Sequence, residues 1–342
     1  MTTGSNRPTD HVSQAIASWL TERYPDRLPA RVEVVSRPSA GYSNETLVLS
    51  CTSGDRTERL VLRMPPLLPA YPDDALDTQA AVHEVLREAG LPVPRVHAVE
   101  SRVEWLGARF LVMDFVAGHV PGQAPGLDRW ITDLPEDQQR HIENGFLDAL
   151  VGVHTLAPAE RLADVLRSGV RADLEYWRAY VDWASDGDAA AALVDALAWC
   201  DATVPAVEPE AVLLWGDARL GNVIYDGDRN VVALLDWELA SLGPPEMDLA
   251  WYLVLDRLTA KATGAAVPGF RDRDEFVADY ESKLGRPVVD LRWHEIFALV
   301  RSVAVNDKLA RLAHAVGAPH PGGFGDANPM LGYLTHRIER FA

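Results

Sequence analysis

Two stretches decide the fold of this chain: Trp215-Gly216-Asp217-Ala218-Arg219-Leu220-Gly221-Asn222 and Leu234-Leu235-Asp236-Trp237-Glu238. Between them, residues 223–225 and 231–235 are apolar runs typical of strands, and residues 226–230 supply turn-forming side chains. A tight hairpin brings its first and last residues together. We therefore expect Asn222 to lie close to Asp236.

Three side chains in these stretches carry the chemistry. Asn222 lies five residues after Asp217, and Asp236 lies fourteen residues after Asn222. Phosphoryl transfer of the protein-kinase type uses one carboxylate to hold or deprotonate the attacking hydroxyl, and an Asn and an Asp to bind Mg²⁺. Either Asp by itself is explained as well by the cap of a turn. The three at this spacing favour phosphoryl transfer.

Charge and composition restrict the partners. The chain has 342 residues, long enough for two lobes or domains, with 32 basic and 50 acidic side chains and a net charge of −18. That charge repels nucleic acid and anionic membranes, so we expect neither as a partner. Solubility alone also explains it, so it says little about the substrate. A monomer and a homodimer both stay open.

The cysteines and the N-terminus bear on the compartment. Cys51 and Cys200 are far apart and form no C-x-x-C or Cys/His cluster, so neither a disulfide framework nor a structural zinc site is indicated. Residues 1–8 lack the apolar segment of a signal peptide, and no uncharged apolar run approaches the length of a membrane span. We expect a cytoplasmic protein.

The order of predicted elements indicates an α+β chain with two lobes. Strand-like runs and one helix at residues 75–89 occupy roughly residues 30–116, and a mainly helical region follows, interrupted by the hairpin. We predict a small, strand-rich N-terminal lobe over residues 1–116. A larger catalytic and substrate-binding lobe is predicted over residues 117–342.

Two features of the first lobe are compatible with nucleotide binding. The turn Ser39-Ala40-Gly41-Tyr42-Ser43-Asn44 lies between two strands and can offer main-chain N–H groups to phosphates, although most such turns only turn. Arg63 ends a strand, where a cation can reach phosphates. A charge that protects an edge strand from aggregation explains Arg63 equally well.

These residues resemble the aminoglycoside phosphotransferase-like superfamily over roughly residues 32–300. Gly216–Asn222 and Leu235–Gly243 look most similar to the branch that includes the phosphotransferase domains joined to acyl-CoA dehydrogenases. The resemblance implies a bilobal protein-kinase-like fold, ATP and Mg²⁺. It implies that Asp217 is the catalytic base and that Asn222 and Asp236 bind the metal.

The resemblance also implies a nucleotide site in the first lobe. Its phosphate-binding residues would be Ser39, Gly41, Ser43 and Asn44 of the turn, together with Arg63. Its hinge, whose main chain would bind adenine, would consist of Met113, Asp114 and Val116. Asp248 resembles a buried aspartate that braces the loop carrying Asp217, which is a structural role.

Two positions depart from the pattern of the superfamily. Gln79 stands where the pattern has Glu, so it can accept a hydrogen bond from Arg63 but adds no charge. Trp215 stands where the pattern has His, and it brings one donor and no acceptor. Neither change removes the predicted base or metal ligands.

The implied reaction is transfer of the γ-phosphoryl group of ATP to a hydroxyl of a small molecule, with GTP not excluded. The acceptor stays open between an aminoglycoside-like compound and a hydroxyacyl thioester. The aromatic stretch 174–183 either lines the acceptor pocket or belongs to the core, and the loop 320–329 either covers that pocket or is a plain surface loop.

The alternative class is a nucleotide-binding protein with weak or no catalysis. A protein kinase is disfavoured, because the span from Asp236 to Asp248 leaves no room for an activation segment.

Overall fold

The structure of the protein is a computed structural model. It describes residues 7–25, 31–38, 44–156, 161–206, 209–317 and 329–340. The following description concerns these residues.

A five-stranded antiparallel sheet forms the N-terminal part. Its strands are β1 (Arg31–Ser36), β2 (Glu45–Ser53), β3 (Arg56–Met64), β4 (Val96–Glu100) and β5 (Phe110–Asp114), in the order β1-β2-β3-β5-β4. Helix α1 (Thr9–Arg23) precedes the sheet in the chain, and helix α2 (Leu76–Glu88) follows β3. The strand-rich part and the helix predicted at residues 75–89 are present.

Alternation along β3 places its side chains on two different surfaces. Leu60 and Leu62 belong to a cluster with α1, in which Trp19 meets Phe110 edge to face at 5.3 Å. Val61 belongs to a second cluster, with the first residue of α2. Because successive strand side chains point to opposite faces, Arg63 shares the α2 side with Val61. Strand period therefore directs the Arg63 guanidinium toward α2.

The second part is mainly helical. Its helices are α3 (Arg129–Thr132), α4 (Glu136–His154), α5 (Val170–Ser185), α6 (Ala191–Ala202), α7 (Glu246–Thr263), α8 (Arg273–Leu284), α9 (Leu291–Ala315) and α10 (Pro329–Glu339). Two small antiparallel pairs lie among them: β6 (Val212–Leu214) with β9 (Ser241–Gly243), and β7 (Val223–Tyr225) with β8 (Val231–Leu234). Helix α9 is buried along its first half and packs against α5, α6, α7 and α10. One continuous apolar core results.

A segment from the first part crosses to the second. Residues 65–75, here called the crossing segment, connect β3 to α2. The Tyr180 hydroxyl on α5 donates to the main-chain carbonyl of Ala70 at 2.9 Å, and the ring of Tyr71 lies 5.6 Å from the ring of Tyr180. The crossing segment therefore joins the sheet to the helical part. The space between these two parts, next to the Asp217 and Asp236 side chains, is here called the cleft.

The hairpin predicted from the sequence is formed by β7 and β8, with Val223 opposite Leu234. The loop before it, residues 215–222, is here called the Asp217 loop. Gly216 in this loop has a φ of 84°, and a Cβ atom placed on it would overlap the main-chain carbonyl of Leu239. Only glycine allows both this conformation and this approach.

The α+β class and the strand-rich and helical parts agree with the sequence analysis. The boundary at residue 116 stays a prediction. Within the described ranges, no helix has both the length and the apolar character needed to cross a membrane.

We predict that Gly216→Ala lowers the free energy of unfolding by roughly 2–5 kcal/mol, since a left-handed alanine and a steric overlap act together. Gly227→Ala is the matched control, because its φ is not positive and nothing lies within 4 Å of its added Cβ. Urea denaturation of both variants measures the difference. Equal stability of the two would contradict the close approach of Gly216 to Leu239.

Candidate active site

Asp217 is held by three donors. Its Oδ2 atom accepts from Asn222 Nδ2 at 2.8 Å and from Arg219 Nε at 2.9 Å. Its Oδ1 atom accepts from Trp251 Nε1 at 2.8 Å. Asn222 Nδ2 also donates to the main-chain carbonyl of Asp217 at 2.8 Å. The carboxylate is fixed in orientation while 19% of the side chain stays exposed, so it can still meet a group in the cleft.

The same contacts set the protonation of Asp217. Burial acts to raise its pKa, but the charge of Arg219 and the hydrogen bonds from Arg219, Asn222 and Trp251 outweigh burial and hold the pKa below the usual value. Asp217 is therefore ionised at neutral pH. Burial acts to lower the pKa of Arg219, but the charge and hydrogen bond of Asp217, together with the charge of Asp236, outweigh burial and raise that pKa.

The hairpin brings Asn222 and Asp236 together. The N–H of Leu235 donates to the carbonyl of Asn222 at 2.8 Å, which fixes the end of one strand beside the start of the other. Asp236 follows with a φ of 66°, in the left-handed region that non-glycine residues adopt at a cost. This bend ends the strand at the cleft.

These two residues suit a magnesium ion. Asn222 Nδ2 is used on Asp217, so its Oδ1 atom remains for a cation, and Asp236 supplies carboxylate oxygens. Mg²⁺ is commonly held by one or two such groups, with phosphate and water oxygens completing the shell. Over the described residues, no three His, Cys, Asp or Glu side chains cluster as a metal site. The arrangement fits an ion shared with a phosphate-bearing substrate.

Arg63 connects the sheet to this turn. Its Nη1 atom donates to Gln79 Oε1 at 2.9 Å, and its Nη2 atom contacts Asp236 Oδ1 and lies 3.8 Å from Glu238 Oε2. Burial acts to lower the pKa of Arg63, but the charges of Asp236 and Glu238 outweigh it and raise the pKa. Only 8% of the side chain is exposed, and β3 is an inner strand. A protective edge charge is therefore excluded.

The predicted phosphate-binding turn is described only at its last residue. Asn44 Nδ2 donates to Glu238 Oε2 at 2.8 Å, which ties the start of β2 to the turn after Asp236. Ser39, Gly41 and Ser43 lie outside the described residues.

The predicted hinge follows β5. Met113 is buried in the sheet opposite Val61. The N–H groups of Asp114 and Phe115 donate to the main-chain carbonyls of Arg95 and Arg59, at 2.9 Å and 3.4 Å. Val116 N–H makes no main-chain hydrogen bond to a described residue. Val116 is thus the predicted hinge residue whose donor is available.

Asp248 holds the start of the Asp217 loop through hydrogen bonds to its main chain. Its carboxylate is completely buried and accepts from the N–H of Trp215 at 2.5 Å and of Gly216 at 2.9 Å. His154 Nε2 lies 3.1 Å from the same carboxylate, and His154 Nδ1 lies 2.7 Å from the Tyr280 hydroxyl. A buried, hydrogen-bonded carboxylate of this kind fixes the main chain that leads to Asp217.

Trp215 fills its position by packing. Its ring stacks on Trp237 with centroids 5.1 Å apart and an interplanar angle of 14°. Its Nε1 atom donates to the Leu235 carbonyl at 2.7 Å. This single donor ties the Asp217 loop to Leu235, between the end of β8 and Asp236, so the tryptophan joins the two motifs.

The sequence analysis did not single out Arg219, Glu238 or Trp251, although the first two lie in the motifs that it quoted. Trp251 and Glu238 bind residues far away in sequence, so spacing alone does not reveal them, whereas Arg219 binds Asp217 two residues before it. Arg301 of α9 was also missed. Its buried guanidinium donates to the Gly216 carbonyl at 2.6 Å and lies 4.5 Å from the ring centroid of Trp251. Arg301 thus holds the Asp217 loop in place through the Gly216 carbonyl.

The profile of the phosphotransferase enzyme family matches residues 34–285, which is most of the chain. The chain belongs to the phosphotransferase enzyme family. This membership confirms the prediction that the chain is a phosphotransferase.

Among curated proteins, the family member is similar to larger acyl-CoA dehydrogenase proteins. It is 25% identical over 300 residues to the probable acyl-CoA dehydrogenase IBR3 of Arabidopsis thaliana, covering 79% of this chain and 35% of that protein. It is 30% identical over 233 residues to acyl-CoA dehydrogenase family member 11 of Gallus gallus, covering 65% and 28%. The chain therefore spans about a third of these relatives, and the predicted branch is confirmed.

Solved structures share the fold. A protein of Ralstonia eutropha, provisionally named an aminoglycoside phosphotransferase, has a TM-score of 0.71 and 20% identity, with 96% of this chain and 98% of that chain covered. A thermostable mutant of an aminoglycoside phosphotransferase, solved with ADP and hygromycin B, has a TM-score of 0.54 and 15% identity, with 94% and 98% covered. The bilobal kinase-like fold is thereby confirmed.

We predict that Asp248→Ala lowers the free energy of unfolding by about 3–5 kcal/mol, because two N–H groups and a histidine lose a buried partner. Asp256→Ala, an exposed position of the same helix, is the control, with a change within about 0.5 kcal/mol. Urea denaturation measures both. Similar values for the two variants would contradict the bracing role of Asp248.

Proposed function

We propose that this phosphotransferase moves the γ-phosphoryl group of ATP to a hydroxyl of a small molecule. The observation that carries the proposal is the direct contact of Asn222 with Asp217, combined with the hairpin bond that places Asp236 beside Asn222. This arrangement supplies an ionised carboxylate and two oxygen ligands within one cleft. Phosphoryl transfer needs little more than such positioning and charge stabilisation.

Asp217 would orient the acceptor hydroxyl and receive its proton. Its Oδ1 atom accepts one hydrogen bond, from Trp251, so a second lone pair remains for a hydroxyl. Its low pKa makes it a weak base, which suits a reaction where the proton leaves late and orientation contributes most.

Asn222 and Asp236 would hold Mg²⁺. The ion, when bound, neutralises charge on the phosphate oxygens. In the structure, Asp236 is already paired with Arg63, so a phosphate that enters the cleft competes with Asp236 for this guanidinium.

Arg63 and Gln79 would face the donor phosphates. Arg63 Nε and Gln79 Nε2 are buried donors that have no hydrogen-bond partner among the described residues. Buried donors are normally satisfied, so two such atoms beside the metal-binding turn suit the oxygen atoms of a bound phosphate or a water. Gln79 thus offers a donor that a glutamate would lack. Ser39, Gly41, Ser43 and Asn44 keep their predicted role in covering the phosphates.

The hinge would bind the adenine ring through the main chain. Met113 would form part of the wall of the adenine pocket, and the main-chain carbonyl of Asp114 would accept a hydrogen bond from adenine. The N–H of Val116 would donate to the ring, because it makes no main-chain hydrogen bond to a described residue. A structural neighbour that was solved with ADP supports nucleotide use by this fold.

We predict that Asp217→Asn lowers the rate of phosphoryl transfer by about 10²–10⁴-fold, since the amide cannot accept the proton. The same change at exposed Asp228 in the adjacent hairpin is the matched control and should leave the rate unaltered. ADP release is measured with Mg·ATP and a panel of hydroxylated acceptors. An Asp217→Asn protein with the wild-type rate would refute the role of Asp217.

We predict that Arg219→Gln shifts the acidic limb of the pH–rate profile to higher pH. Asp217 acts while ionised, so activity falls as pH drops through its pKa, which Arg219 helps to depress. Without that charge, burial raises the pKa and the fall begins at higher pH. Arg219→Lys, which keeps the charge, should shift the limb less. An unchanged acidic limb in Arg219→Gln would contradict this coupling.

A further inference from the structure

Arg301 of α9 is a buried cation that the proposed reaction does not use. Only 2% of the residue is exposed, it forms no ion pair with a described residue, and its Nε atom has no hydrogen-bond partner among those residues. Burial lowers the pKa of Arg301, whereas the charges of Asp173 and Asp248 act to raise it. An arginine keeps its charge at neutral pH, and a buried charge without a directly paired carboxylate is costly. Stability alone therefore does not explain Arg301.

Two tryptophan rings lie against the Arg301 guanidinium. Its Cζ atom lies 4.5 Å from the ring centroid of Trp251 on α7 and 5.0 Å from that of Trp177 on α5. A cation is attracted to the face of an indole ring, and more strongly where water is excluded. Arg301 therefore holds the Trp251 ring by its π system, which leaves the N–H group of that ring available as a donor.

Trp251 and Arg301 both contact the Asp217 loop. Trp251 Nε1 donates to Asp217 Oδ1 at 2.8 Å, and Arg301 Nη2 donates to the carbonyl of the preceding Gly216 at 2.6 Å. We propose that Trp251 and Arg301 form one positioning unit for phosphoryl transfer. This unit sets the orientation in which the Asp217 carboxylate meets the hydroxyl of the acceptor. The inference rests on the phosphotransfer function proposed above.

The Asp217 carboxylate needs a donor on each oxygen to be fixed in orientation. The terminal torsion of an aspartate has broad energy wells, so the rotamer alone does not set the plane of the carboxylate. Two donors to Oδ2, from Arg219 and Asn222, belong to the Asp217 loop itself. Trp251 donates to Oδ1 from a helix outside this loop. It therefore decides the orientation of the oxygen that is proposed to meet the hydroxyl.

Arg301 keeps this donor in register with the main chain that leads to Asp217. One rigid, planar guanidinium contacts both the Trp251 ring and the Gly216 carbonyl. It thereby fixes the position of the donor relative to the residue before the acceptor. A displacement of a reacting group by about 1 Å is enough to cost about 100-fold in rate, so a fixed separation of these groups matters for transfer.

Trp19 provides a matched control for Trp251. Its Nε1 atom donates to the Glu100 carboxylate at 2.8 Å, so donor, acceptor group and distance are the same as for Trp251 and Asp217. Both indoles are buried, and Trp19 belongs to α1 in the N-terminal part. A change to phenylalanine at either position removes one indole–carboxylate hydrogen bond and keeps an aromatic ring. The structural costs are comparable, so a difference in the rate of transfer reports positioning.

Trp251→Phe should lower kcat for phosphoryl transfer by about tenfold and leave KM for ATP unchanged, since it removes a hydrogen bond to a charged group outside the nucleotide site. Trp19→Phe should alter neither value. ADP release is measured at saturating Mg·ATP with the member of the panel of hydroxylated acceptors that the wild-type protein uses best. Equal kcat values in the two variants overturn the proposal. A rise in KM for ATP without a fall in kcat also overturns it.

The indole N–H signals of protein made with isotope-labelled tryptophan give a second measurement, by NMR, which needs no acceptor. The signals of Trp251 and Trp19 are assigned by their disappearance in the two phenylalanine variants. Asp217→Asn should move the Trp251 signal, because a neutral amide is a weaker acceptor than a carboxylate, and should leave the Trp19 signal in place. An unmoved Trp251 signal overturns the inference.

The two measurements separate this inference from the proposed function. If the wild-type protein releases no ADP with any hydroxylated acceptor, the phosphotransfer function proposed above fails. The indole signals then still decide whether Trp251 holds Asp217.

A double variant tests whether Trp251 and Arg301 act as one unit. Arg301→Met replaces the buried cation by an apolar side chain, and it should lower kcat because Trp251 and the Gly216 carbonyl lose the same partner. When Trp251→Phe is combined with Arg301→Met, the two losses in kcat should not add, since both act through the position of Asp217. Additive losses overturn the unit. If Arg301→Met does not fold, the kinetics of Trp251→Phe and the indole signals still test the proposal.

Discussion

The buried carboxylate of Asp248 is the interaction on which the site depends. It accepts from two successive N–H groups, of Trp215 and Gly216, and meets His154 without contact with water. A charge so placed is tolerated only when its hydrogen bonds are complete, so the main chain at these residues has little freedom. Asp217 is the next residue in the chain, and its position follows from this constraint.

Beside this fixed loop, ion pairs connect the sheet of the N-terminal part to the helical part. Arg63 comes from the sheet, and it meets Asp236 and Glu238 from the turn after the hairpin. Asn44 adds a second bond from the sheet to Glu238. These contacts place a cation and several oxygen atoms where phosphates would lie. Because the chain carries a net charge of −18, the proposed nucleotide site would depend on such a local cation to attract an anionic nucleotide.

The two departures from the superfamily pattern have physical explanations. Trp215 replaces a polar brace with stacking on Trp237 and one donated hydrogen bond, while Asp248 and His154 supply the polar bracing. Gln79 keeps the hydrogen bond to Arg63, and its Nε2 atom is a donor with no partner among the residues that the structure describes. Because Gln79 is neutral, Arg63 forms its ion pairs within the described ranges with Asp236 and Glu238. Neither substitution disturbs the contact between Asn222 and Asp217.

The sequence by itself determined the class of fold and the hairpin, because strand period and turn chemistry are local properties. Its fixed spacing also led to the prediction that Asp217, Asn222 and Asp236 serve phosphoryl transfer. It also indicated that Gln79 would accept from Arg63. Only the tertiary structure decided which side chains surround Asp217. Trp251 donates to Asp217, and Arg301 donates to the carbonyl of the preceding Gly216, each from a helix far along the chain. Such contacts depend on how helices pack, which no local pattern specifies.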